Sequence, residues 1–106
     1  MKDYDINETL KIIQSQTMHT LKIIPHLQQR ELERDFKINY LINCILNQIP
    51  LGISKTYYNR FKIIYPHETK PSLDLYIIIE INDNNEVTII SAYPKNKSRR
   101  EREYGK

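Results

Sequence analysis

The chain has 106 residues, of which 40% are apolar and 27% charged. That is enough for one compact domain with a modest core and too short for two. Basic residues exceed acidic ones by 16 − 13 = 3, and the excess sits at one end: residues 95–106 hold six basic and two acidic side chains, a sum of +4, which leaves −1 for residues 1–94. The lone cysteine, Cys44, excludes an internal disulfide and a cysteine metal cage.

No apolar stretch reaches the ~20 residues of a membrane-spanning helix. The N-terminal MKDYDINETLK is polar and lacks a secretory pattern. A soluble, cytoplasmic protein with no membrane contact is therefore expected, with Cys44 as a reduced thiol in its core.

Taken in chain order, Asn7 and Glu8 can start a helix running to about His19, with Ile6, Leu10 and Ile13 on one stripe. TLKII (20–24) is short and β-compatible. Pro25 suits a first helical turn, where its missing N–H is no loss, so a second helix is expected from Pro25 to Arg34. KINYLINCILNQ places apolar residues at 38, 41, 42, 45 and 46, the spacing of an amphipathic helix, which Pro50 and Gly52 then end.

After residue 54 the period changes to two. TYYNRFKIIYP puts Tyr57, Asn59, Phe61, Ile63 and Tyr65 on one side of a strand. LDLYIIIEI alternates likewise, with Leu73 to Ile81 facing one way and Asp74, Tyr76, Ile78 and Glu80 the other. NDNN (82–85) is a hairpin signal, and EVTIISAYP reads as a third strand. The pattern is α+β: N-terminal helices packed on one face of an antiparallel meander of three to four strands, forming one domain over residues 1–94. The basic tail, 95–106, has no apolar period and is expected to fray or to be ordered by a partner.

PHLQQRELERDF carries His26, Arg30 and Arg34 at i, i+4 and i+8, close to one helix face. Two readings stand. The arginines can simply pair with Glu31, Glu33 and Asp35 on a solvated helix. Alternatively, a histidine at a helix start with an arginine one turn later can hold a phosphate and exchange a proton with it. His19, at a helix end, and His67, in a loop, are expected at the surface. Arg60 and Lys62 project from one strand face near Tyr58, an arrangement that suits single-stranded nucleic acid, where cations bind phosphate and tyrosine stacks a base. The same pattern also fits a plain exposed strand guarded by lysine. Ser91 and Tyr93 share a face of the last strand. There is no glycine-rich phosphate loop, no His/Cys metal spacing and no G-x-S-x-G serine.

HLQQRELERDFKINYLINCIL resembles the opening of the RelE-like branch of the barnase–EndoU–colicin–RelE superfamily. There a histidine is followed by arginines four and eight residues on, a short joint and a second helix. VTIISAYP resembles that family's last strand, with its hydroxyl residue, spacer, tyrosine and proline at Ser91–Pro94. The likeness covers residues 20–95. Leu27 and Asp35 depart from it, standing where the family has a small residue and a glycine.

The resemblance implies a toxin-like endoribonuclease working without metal or other cofactor and held by an antitoxin or immunity protein. On that basis His26 is the expected acid or base. Arg30 and Lys62 are expected to stabilise charge, and Ser91 and Tyr93 to position the phosphate. Arg34, Tyr58, Arg60 and Lys95 are expected to hold RNA. A non-catalytic RNA-binding or protein-interaction module on the same fold, or a RelE/ParE-like toxin with another target, is the alternative. The helix over 7–19 lies outside the family core and is an expected partner surface.

Overall fold

The computed structural model describes residues 3–31 and 33–103. In chain order these form α1 (Ile6–Gln14), β1 (Leu21–Ile23), α2 (His26–Arg30), α3 (Ile38–Asn47), β2 (Gly52–Tyr57), β3 (Arg60–Pro66), β4 (Leu73–Ile81), β5 (Val87–Asn96) and α4 (Lys97–Glu103). The strands make one sheet in the order β1-β5-β4-β3-β2. Strands β2 to β5 pair antiparallel, whereas β1 runs parallel to β5, with Leu21 opposite Val87 and Ile23 opposite Ile89. The α+β class holds, but the sheet is five-stranded and mixed, not an antiparallel meander of three or four strands.

Each departure has a local cause. β1 and β5 are joined through two helices and three strands, so no hairpin turn announces their pairing. The stretch read as one strand from Thr56 to Pro66 is a hairpin, with Tyr57 paired to Arg60 across a Tyr58–Asn59 turn. Among the described residues only Asp35 and Asn85 combine a side chain with positive φ. The turn therefore needs no glycine and gave no Asn-Gly signature. Asn59 fastens it to β4, donating from Nδ2 to Ile81 O at 3.1 Å.

Helix α1 starts at Ile6 because the Asp5 carboxylate accepts from the Glu8 amide at 2.7 Å. It stops at Gln14, short of the expected His19, where Ser15 Oγ and Gln16 Nε2 both donate to Ile12 O, and it buries Thr9, Ile12 and Ile13 while Ile6 of the expected stripe is exposed. α2 stops at Arg30, short of the expected Arg34; Leu32 in that span lies outside the described residues. Glu31 instead reaches forward, its Oε2 accepting from the Ile38 amide at 2.8 Å and capping α3. The basic tail up to Glu103 is ordered as the end of β5 and α4. Its Lys, Arg and Glu are good helix formers, Asn96 Oδ1 accepts from the Ser98 amide, and Arg100 Nε binds the buried Asp74 carboxylate at 2.7 Å. Residues 104–106 of the tail lie outside the described residues.

One hydrophobic cluster joins Ile12, Ile13, Leu27, Leu41, Cys44 and Ile45 from the helices to Phe61, Ile63, Leu75, Ile77 and Ile79 of the sheet. Ile38 packs at its margin. Ile42, expected inside, lines an outer groove of α3. The alternation of β4 sends Asp74, Tyr76, Ile78 and Glu80 to the opposite face, as read from sequence.

In β5 a bulge sets the parity. Ile79 pairs with Ile89 but Ile78 pairs with Ser91, so Ile90 is the extra residue. Ile89 and Ala92 therefore both enter the core, and Ser91 and Tyr93 fall on the second face beside Ile78 and Tyr76.

Candidate functional site

The His26 side of the site is a small exposed cluster on α2. Arg30 Nε donates to His26 Nε2 at 3.0 Å, and Arg30 Nη1 lies 3.3 Å from Glu33 Oε1. Arginine only donates, so Nε2 is the accepting nitrogen and the neutral ring carries its proton on Nδ1. In this arrangement His26 has a free N–H to offer, and its basic nitrogen is occupied until Arg30 turns away. Glu33 fixes Arg30 and was not singled out from sequence, where it appeared only as one of three possible ion-pair partners.

The helix start itself offers an anion less than expected. α2 has five residues, and the Leu27 and Gln28 amides already donate to Ile24 O and Pro25 O at 3.1 Å. An anion here is left to side chains, not to free backbone N–H groups or a long helix dipole.

Arg34 ties this segment to the sheet. β1 ends at Ile23, with the Ile24 amide donating to Ile89 O, so β5 has no strand neighbour on that side from there on. Arg34 Nη1 fills part of the gap, donating to Ala92 O at 3.3 Å and approaching Ser91 Oγ at 3.5 Å. Two motifs far apart in sequence are thereby joined: the arginine eight residues after His26, and the hydroxyl of the last strand. The remaining guanidinium donors of Arg34 are the ones able to meet a phosphate.

On the second face, the register places Ser91, Ile78, Lys62 and Ser54 in one row across β5, β4, β3 and β2. The next row holds Tyr93 and Tyr76, ring centroids 5.6 Å apart. Lys62 Nζ stands 5.2 Å from the Tyr76 ring and Lys95 Nζ 5.5 Å from the Tyr93 ring. The four side chains form a continuous cation–aromatic ladder. Tyr76 was not proposed from sequence, although its alternation with Leu75 and Ile77 already placed it on this face. It is 2% exposed, so it supports its neighbours and cannot itself stack a base.

Two expected residues are placed elsewhere. Tyr58 is in the hairpin turn and not on the strand face beside Arg60 and Lys62; its ring packs against Tyr57, centroids 4.7 Å apart. Tyr57 is 61% exposed and is the more accessible of the two. Arg60 Nη2 pairs with Glu80 Oε2 at 2.8 Å, directly across from it in the register, so its charge is largely answered within the sheet.

His67, expected at the surface, has a side chain only 3% exposed. Its Nδ1 accepts from the Thr69 and Lys70 amides at 3.2 and 3.1 Å, so Nε2 carries the proton and meets Asp35 O at 2.8 Å. Asp35 has φ 58°, the left-handed region that glycine enters freely and Asp or Asn tolerate. Its carboxylate pairs with Lys70, which holds it below its ordinary pKa. Burial pushes the Cys44 thiol up to about 12 and the Tyr65 phenol higher still, so neither is a nucleophile at neutral pH.

Comparison of the chain with protein-family models, with curated proteins and with solved structures gave no match.

Proposed function

We propose that the protein is an endoribonuclease of toxin type that needs no metal, as the resemblance of its two motifs to the RelE-like branch implies. The observation that carries the reading is Arg34. It connects the helix segment of His26 and Arg30 to Ser91, and so draws the residues of both motifs onto adjoining elements. The ribose 2′-hydroxyl attacks the adjacent phosphorus, its proton passes to a base, and the 5′-oxygen leaves with a proton from an acid. The products are a cyclic phosphate and a 5′-hydroxyl end.

A phosphate at the site competes with His26 for Arg30. As Arg30 turns to the anion it releases His26 Nε2, the nitrogen able to take the 2′-hydroxyl proton. Arg30, Lys62 and the free donors of Arg34 then face the charge that grows in the transition state. Tyr93 and Ser91 steady the phosphate, and Lys95 with exposed Tyr57 extends the RNA track.

The rival is a binding module on the same fold, and the Arg30–His26 hydrogen bond favours it, because a capped imidazole is a resting structural contact. Labelled total RNA incubated with the purified protein in EDTA separates the two. Fragments ending in cyclic phosphate are expected; retention of RNA without cleavage leaves only the binding module. An antitoxin or immunity protein is the partner that a toxin of this kind requires, and the basic tail is where an acidic partner would dock.

A further inference from the structure

From Ile38 to Ser54 the chain has no Asp, Glu, Lys, Arg or His, although 27% of all its residues are charged. A buried stretch would explain this, but much of the segment is at the surface. Helix α3 turns Leu41, Cys44 and Ile45 inward and leaves Asn39, Asn43 and Asn47 exposed. Between the asparagines and Met18 runs a groove of about 350 Å³ with Ile42 and Leu46 along it. Met18 is 65% exposed, and beyond the helix Ile49 and Leu51 are 84% and 45% exposed. The groove is lined by three apolar side chains and three neutral amides, with no charged residue among them, and nothing in the RNA-cleavage reading uses it.

We infer that this face of α3 is where a second copy of the chain docks, related by a two-fold axis. Charge decides the occupant. An acidic partner would be drawn to the basic residues from Lys95 onward, not to a face without charge. Each copy carries +3, so two copies meet most readily where neither presents charge. Asparagine amides both donate and accept. Asn47 Nδ2 already donates to Asn43 Oδ1 at 2.9 Å, which leaves Asn43 Nδ2 as donor and Asn47 Oδ1 as acceptor to meet the same two groups of a reversed copy, as an isologous contact demands.

Area sets the extent. Ten residues of helix span only about 15 Å, too little alone for the roughly 1,000 Å² that a specific interface buries. Met18 must close over the groove, and Ile49 and Leu51 must add to the contact.

Sedimentation equilibrium of the full chain tests this. The wild type should run at twice 12.8 kDa at micromolar concentration. Asn43→Asp, at an exposed position, should weaken the dimer at least tenfold by placing like charges near the axis, with an unchanged circular dichroism spectrum. Ile42→Glu and Ile42→Lys should each be monomeric, and mixing them should restore a dimer through the opposite charges. A wild type that stays monomeric up to about 1 mM overturns the proposal. So does a dimer that Asn43→Asp and both Ile42 variants leave intact.

Discussion

His26 and His67 each hold one ring nitrogen against a charged neighbourhood, yet they are fixed in opposite ways. His67 is enclosed, and its hydrogen-bond partners are backbone groups: two amides donate to Nδ1 and Asp35 O accepts from Nε2, with the Asp35 carboxylate 3.9 Å away. Every hydrogen bond the neutral ring can make is made. His26 is exposed and is held by one side chain, Arg30, and among the described residues its Nδ1–H has no partner. A ring saturated by backbone is a fastener, here joining the β3–β4 loop to the joint before α3. A ring held by a guanidinium that also seeks anions is a group able to change partners. The two sites therefore predict different losses when each histidine is removed.

The largest effect is expected at His26. His26→Ala should keep the fold, because an exposed residue in the first turn contributes little packing. It should lower RNA cleavage by about 10²–10⁴-fold, the usual range for losing a general acid or base. Arg30→Ala should also cut the rate, and the double variant should lose less than the two single losses combined, which is the outcome expected of two groups proposed to serve one phosphate. Cleavage assays with matched thermal melts read both quantities. Wild-type rates in His26→Ala would make the α2 cluster a local contact only.

The next effect belongs to His67 and should show in stability. His67→Ala removes three hydrogen bonds from an enclosed site, worth about 2 kcal/mol in total after water takes over some of them. For a domain of this size that lowers Tm by about 10 °C. The per-molecule cleavage rate below the new Tm should stay within about twofold of wild type. A lost rate without a lost Tm would reverse the assignment of the two histidines.

Period was the signal that served the sequence reading best. The alternation of Leu73–Ile81 gave both faces of β4, and the spacing of α3 gave its buried side apart from Ile42 and Leu46, which line the outer groove. Features that depend on distant partners were not legible. β1 could be recognised only as β-compatible, since its neighbour β5 lies more than sixty residues away. The tail looked irregular because what orders α4 is Asp74 on another element. His67 looked exposed because a loop histidine is enclosed only when another segment, here the Asp35 joint, folds against it. For the site, His26 and Arg30 were legible as helical neighbours, whereas the β5 bulge that turns Ser91 and Tyr93 to the second face left no mark in the local pattern.

Arg34 stands between the two regions and sharpens the comparison. It is bound to β5 like a fastener but keeps donors for an anion. Arg34→Met keeps an unbranched apolar stem and removes the guanidinium, and with it the bond to Ala92 O. A loss of about 1 kcal/mol is expected, together with weaker RNA binding whose salt dependence is flatter by about one counterion. An unchanged salt slope with a lowered Tm would assign Arg34 to the scaffold alone.

The smallest effect should come from Asp35, which touches His67 through its carbonyl and Lys70 through its carboxylate. The carboxyl's pKa is lowered in the folded chain, chiefly by the Lys70 hydrogen bond. A group with a depressed folded pKa adds stability above its unfolded value, near 3.8, and that stability is lost as pH falls through the folded value. Asp35→Asn keeps a residue that tolerates φ 58° and keeps the carbonyl that His67 binds. At pH 7 it should therefore lower Tm only slightly, because the exposed ion pair is screened by solvent. Below pH 4 the two proteins should converge in Tm, since the wild-type carboxylate is then being protonated as well. Asp35→Val places a branched side chain at positive φ and should melt lower than Asp35→Asn at every pH. Equal melting of the two variants would show that the joint does not depend on the left-handed residue that holds the His67 latch in place.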